Sequence, residues 1–178
     1  MMRRGAQAAI GTALFLFVAP GTVAGLVPWL LSRWRMYDPF LGFMGLRWLG
    51  GALIVAGIPP LLDSFRRFAQ EGLGTPAPLY PTNRLIVTGL YRHVRNPMYV
   101  GVAAVIFGQA LLLASVALLV WGAIVCLGFD LFVRLYEEPT LGRRYGVQFA
   151  TYCASVPRWL PRLRAWHDDS PLPRENET

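Results

Sequence analysis

Residues 96–129, NPMYVGVAAVIFGQALLLASVALLVWGAIVCLGF, carry no charge. As one straight helix, rising about 1.5 Å per residue, this run would measure about 50 Å. A hydrocarbon core is only about 30 Å thick. The stretch is therefore read as a helical hairpin folding back near Ala114-Ser115, although neither glycine nor proline marks the turn. Polar clusters close its two ends: residues 88–95, TGLYRHVR, in front, and residues 134–139, RLYEEP, behind. A hairpin brings its two ends to one side, so both clusters are expected together at a membrane surface.

The composition agrees with a membrane setting. The 178-residue chain is long enough for one domain. It is 54% hydrophobic and 15% charged, with a mean hydropathy of +0.41, whereas a soluble domain carries about 25% charged residues. All 17 basic residues are arginine, and the net charge is +7. The arginines flank apolar runs and form no soluble basic face, which argues against nucleic acid and for an anionic bilayer as partner. Cys126 and Cys153 lack the spacing of a metal site, and none is expected.

The fold class expected is an all-α integral membrane protein with about four spans, near residues 6–31, 40–62, 97–114 and 116–135. No charge occurs between Arg4 and Arg33, too long a run for a signal-peptide core of about 7–15 residues. Pro20 and Pro28 are expected to kink or end this first span. Trp29, Trp34 and Tyr37 suit the far interface. In the second span Arg47 lies near one end and can snorkel. Gly50-Gly51 and Gly57 allow close helix contact, and Pro59-Pro60 is expected to end the span. Residues 63–96 read as a polar segment. Within it, residues 64–70 read as a short interfacial helix with Phe65 and Phe68 turned to lipid, residues 72–81 as a loop, and residues 85–87 as briefly extended. After Pro139, Leu141, Tyr145, Phe149, Tyr152/Cys153 and Val156 recur at helical spacing, the pattern of an interfacial amphipathic helix ended by Pro157. Residues 1–164 then form a single domain and residues 165–178 a disordered tail. Every arginine except Arg33, Arg35 and Arg47 falls on the side of the two termini. That bias makes it the cytoplasmic side, here of a bacterial inner membrane.

Several polar residues are candidates for chemistry. Asp130, Arg134 and Glu138 stand at i, i+4 and i+8, so on a helix Arg134 can pair with either acid; Glu137 lies one position around. Charges beside a span are costly unless paired or used, although a helix end reaching water with ordinary surface pairs accounts for them too. Gly101 and Gly108 leave a groove on one helix face, open to a ligand or to a packed neighbour. Gln109 sits within the apolar run, and a buried amide needs partners from the protein or a ligand. Asn96-Pro97 is a helix start with Asn as N-cap and Pro at the first position. Its free N–H groups suit a carboxylate. His93 reads as a solvated loop residue. Tyr91 and Tyr99 are interface anchors or π faces for a cation.

The elements GLYRHVRNPMYVG and EEPTLGRRYGVQFATYCASVPRWLP resemble the isoprenylcysteine carboxyl methyltransferase family, with the phospholipid N-methyltransferases as broader relatives. The resemblance rests on Arg95-Asn96-Pro97-Met98-Tyr99 with Gly101, Glu137-Glu138, Tyr145-Gly146, Tyr152 and Val156-Pro157, and covers roughly residues 82–161. It implies S-adenosylmethionine as methyl donor. It implies that Asn96, Pro97, Met98, Tyr99 and the hairpin positions Gln109, Ala110, Leu111 and Leu112 line the cofactor pocket, with Glu138 holding the cofactor's polar groups and Arg134 facing the acceptor. Asn96 stands where the family has histidine; asparagine bonds but cannot titrate. Chemically, Arg95 and the helix start can bind the cofactor's carboxylate, and Glu137 can take a proton from an amine acceptor. An acceptor carboxylate would need no base, and Arg134 could orient it. A lipophilic acceptor is expected in either case. The alternatives are a membrane reductase using a nicotinamide cofactor, whose phosphates Glu137-Glu138 would repel, and a non-catalytic lipid-binding protein.

Overall fold

The structure, a computed structural model, describes residues 18–70, 85 and 87–167. All regular structure among them is helical. The principal helices are α1 (Val18–Ser32), α2 (Gly45–Gln70), α3 (Pro97–Leu113), α4 (Val116–Phe132) and α5 (Glu138–Ser155). Short 3-10 turns occupy Phe40–Gly42 and Gly89–Arg92. A π-turn, Val133–Glu137, joins α4 to α5 without a break.

Gly45–Arg67 and Val116–Ser155 are long and apolar enough to cross a membrane; α1 and α3 are shorter apolar helices. The chain exposes apolar ridges, Trp48, Val55, Ile58 and Leu62 on α2 and Val116, Val120, Ile124 and Leu127 on α4. Such continuous apolar faces belong in lipid, not water. The hairpin expectation holds, with its turn at Ala114-Ser115. Ala114 is left-handed (φ 53°), and the Ser115 hydroxyl caps α4 by accepting from the Leu118 N–H.

The tightest packing joins α2 to α3. A Cβ on Gly50 would lie 2.7 Å from the Gly108 carbonyl, and one on Gly108 would lie 2.7 Å from the Gly50 carbonyl. Gly57 and Gly101 repeat this reciprocal 2.7 Å contact one step along the antiparallel pair. The groove at Gly101 and Gly108 is thus filled by another helix. Close backbone approach of this kind is how helices associate where lipid removes the hydrophobic drive.

Helix α1 docks through two carbonyls that its own backbone leaves free. Pro28 has no N–H to give Ala24, and the π-turn Thr22–Leu26 sends the Val27 N–H to Thr22. Gln109 Nε2 donates to the Ala24 carbonyl at 2.7 Å, and Trp121 Nε1 donates to the Val23 carbonyl at 2.9 Å. Val23 and Ala24 also pack on the buried cluster of Val102, Ile106 and Val125. Helix α1 thus satisfies the Nε2 end of Gln109, while its Oε1 is buried without a hydrogen-bond partner. Gln109→Leu should lower stability by about 1 kcal/mol, since interhelical hydrogen bonds in membranes are worth about that. The unfolding midpoint in detergent measures this.

Helix α2 differs from expectation. Pro59-Pro60 lies inside it, and the helix continues to Gln70. Prolines are tolerated in such helices because neighbours hold the geometry. Here the glycine seam lies on one side of the prolines and the Asp63–Arg67 pair (2.8 Å) on the other. There is no separate interfacial helix at 64–70, and Phe65 is buried, not turned to lipid. The Phe68 side chain and residues 71–84 lie outside the described residues. Arg67 Nη1 also donates to the Thr88 hydroxyl at 2.7 Å. Gly89 is left-handed (φ +53°), a conformation that glycine takes at least cost, and a Cβ there would meet the Arg67 guanidinium.

The stripe along α5 packs inward. Phe149, Tyr152 and Val156 form a buried cluster with Leu85, Val87, Leu141, Tyr145, Cys153 and Trp166. Gly146 (φ 52°, ψ −125°) kinks the helix. Trp166 packs in this cluster, and residues 168–178 lie outside the described residues. Beyond α5, residues 156–166 run as an irregular, bent strap beside residues 92–96. The Arg95 N–H donates to the Pro157 carbonyl, the Arg162 N–H to His93 and the Trp166 N–H to Arg92, each at 2.9 Å.

Candidate active site

The site lies where the start of α3 meets the π-turn and the strap. The π-turn carries one extra residue per turn, which shifts the faces of the helix beyond it. Glu137 ends the π-turn and Glu138 begins α5, and as successive residues about 100° apart they face different partners. Tyr99, in the first turn of α3, donates its phenol to Glu137 Oε2 at 3.2 Å. Its ring stacks on Phe129 of α4 (centroids 4.5 Å apart) and lies 6.4 Å from Trp159 of the strap at a tilt of 54°. Trp159 Nε1 in turn donates to Asp130 Oδ1 at 2.9 Å. Asp130 Oδ2 pairs with Arg134 at 2.7 Å. Three aromatic rings and one half-buried carboxylate thus share a small space.

The two glutamates are in opposite situations. Glu138 accepts from Arg95 Nη1 at 2.6 Å and from the fork of Arg158 at 2.8 Å for both Nε and Nη2. That pairing raises the Arg158 guanidinium above its ordinary value. Glu137 has no arginine partner among the described residues; its hydrogen bond comes from Tyr99. Arg95 also reaches Cys153 Sγ at 3.1 Å. Its Nε is buried without a hydrogen-bond partner. Burial lifts the phenol of the neighbouring Tyr91 above its usual range. Tyr91 is a core residue, not an interface anchor, and its carbonyl accepts from Tyr152 Oη at 2.7 Å.

Of the expected site residues, Arg95, Asn96, Pro97, Met98, Tyr99, Glu137 and Glu138 come together. Gln109, Ala110, Leu111 and Leu112 do not. They lie about 20 Å further along α3, counted from Asn96 at about 1.5 Å per residue, and Gln109 is bonded to α1. Asn96 occupies the N-cap position but makes no cap bond; its amide donates to the Arg158 carbonyl at 3.2 Å. The expected helix start, Asn96 as N-cap and Pro97 at the first position, is present, while the side-chain amide serves the strap instead of the cap. His93 Nδ1 lies 2.8 Å from the Arg162 carbonyl, another strap contact. Arg134 is 54% exposed and held by Asp130. Sequence reasoning missed Phe129, Arg158 and Trp159. The signal available was Arg158-Trp159 set between Pro157 and Pro161, which keep the segment out of a helix.

An all-helical membrane protein with a carboxylate and an aromatic wall at one end of a helical hairpin is the class that this fold and site define. The phospholipid methyltransferase family description matches residues 46–148, more than half the chain, and the protein belongs to that family. The matched segment holds α2, α3, α4 and the Glu137-Glu138 pair. Neither the curated proteins nor the solved structures contain a match.

Proposed function

We propose that the protein transfers a methyl group from S-adenosylmethionine to the amine of a lipid, at the cytoplasmic ends of α3 and α4 in a four-span arrangement. The observation that carries this reading is Glu137: half-buried, bonded to Tyr99, whose ring meets Phe129 and Trp159, and without an arginine partner among the described residues. Such a carboxylate suits a cation or a proton, not an anion. Arg134, the group that would orient an acceptor carboxylate, is already paired with Asp130, which favours an amine over an ester-forming acid.

The residues fit the donor. The faces of Tyr99, Phe129 and Trp159 suit its sulfonium. The unpartnered Nε of Arg95 and the N–H groups of Met98 and Tyr99 at the start of α3 suit its carboxylate. When bound, S-adenosylmethionine supplies an electrophilic methyl carbon. Glu137 accepts the proton from the acceptor's ammonium, which frees the nitrogen lone pair, while Tyr99 fixes the carboxylate's direction. The strap and aromatic wall exclude water and align the nitrogen. The apolar ridges of α2 and α4 leave the lipid acceptor a lateral route from the bilayer.

Purified protein in detergent should bind S-adenosylmethionine in a calorimetric titration. Membranes given radiolabelled donor should yield a lipid label that resists base, as an amine does and an ester does not. Absence of any cofactor binding by the wild-type protein sinks the reading.

A further inference from the structure

The geometry points to Arg158 and Glu138 as positioning residues: with Arg95, they lock the strap so that Trp159 closes the aromatic wall on Tyr99. This inference rests on the methyl-transfer reading above. Residues flanked by Pro157 and Pro161 have no helix to fix their side chains. Trp159 is fixed from two sides instead. Its indole is anchored on Asp130 at 2.9 Å, and the residue before it is held by a two-pronged Arg158–Glu138 contact at 2.8 Å. A fork of this kind sets direction as well as attraction. Asn96 holds the Arg158 carbonyl from the other side at 3.2 Å. Glu138 thereby has two cations on one carboxylate, and a ligand's ammonium would have to displace one of them. Glu137, one residue earlier, needs no such exchange. The strap also lies beyond residue 148, where the family match ends, so that match assigns no role to Arg158 or Trp159.

The test compares wild type, Glu138→Gln, Arg158→Gln and the double variant. The measurements are hydrogen exchange of residues 156–166, turnover of the acceptor, and affinity for two ligands. One ligand is S-adenosylhomocysteine; the other is 5′-methylthioadenosine, which lacks the aminoacyl end. Each single variant should speed strap exchange and lower kcat by about tenfold or more, with acceptor KM nearly unchanged. In Arg158→Gln, which leaves the Arg95–Glu138 contact in place, affinity for the two ligands should fall by the same factor. The double variant should be no worse than the weaker single, since both act through one contact. Arg158→Lys, which keeps the charge and loses the fork, should fall between, and it serves if a neutral variant does not fold. Unchanged strap exchange in both single variants overturns the inference. So does an Arg158→Gln variant that binds S-adenosylhomocysteine about tenfold more tightly than wild type with 5′-methylthioadenosine affinity unchanged, because Glu138 would then grip the ligand's amine and Arg158 would be its placeholder. If wild type binds neither ligand, the methyl-transfer reading fails by itself, and strap exchange still decides the clamp.

Discussion

Glu137→Gln should cut the methyl-transfer rate by about 10²–10⁴-fold, the usual worth of a positioned acid–base group. The glutamine keeps the shape of the side chain and can still accept from Tyr99, so folding and the aromatic wall should persist. Only the capacity to take a proton is lost. An acceptor amine can shed its proton to water when the solution is alkaline. The variant should therefore recover part of its rate as pH rises, while wild type gains less. Glu137→Asp should lie between the two, since it keeps the carboxylate but shortens its reach. Turnover measured from neutral to alkaline pH, with folding checked in parallel, decides the matter. A Glu137→Gln enzyme at wild-type rate would remove the base from the mechanism.

The second large effect concerns folding. Gly57→Leu should prevent α2 and α3 from closing. A Cβ there already falls 2.7 Å from the Gly101 carbonyl, and backbone cannot move aside as a flexible side chain can. Overpacking of a tight interior costs about 1–3 kcal/mol, and more where backbone must separate. The reciprocal Gly50–Gly108 contact would open with it. The yield of folded protein should fall to a small fraction of wild type. Gly51→Ala is the control on the same helix, because nothing lies within 4 Å of its Cβ position. Equal yields of folded Gly57→Leu and Gly51→Ala would refute the seam.

These expectations show which parts of the protein could be read from residues alone. The hairpin was legible because length and charge settle it: an uncharged run too long for one crossing must fold back. The glycine seam was legible as small residues at helical spacing. Pro59-Pro60 was not, because a proline rule drawn from isolated helices ignores the neighbours that keep α2 helical. Glu137, Glu138 and Tyr99 were legible as polar groups pressed against apolar runs. Their partners were not. Asn96 and His93 spend their side chains on a strap more than 60 residues away in sequence, at Arg158 and Arg162. Gln109 announced its need for a partner, but that partner depended on Pro28 freeing a carbonyl in another helix.

The unbroken passage from α4 through the π-turn has a consequence for how this protein can change. From Val116 to Glu137 the backbone climbs about 32 Å at about 1.5 Å per residue, close to the thickness of a hydrocarbon core. Backbone rise, and not any side chain, sets how far the carboxylate stands from the opposite turn. Exchange of one apolar residue for another along this helix leaves that depth alone. Deletion of a single residue lowers the carboxylate and swings it about 100° away from Tyr99. The helix is a ruler as well as an anchor, tolerant of what it is made of and intolerant of its length.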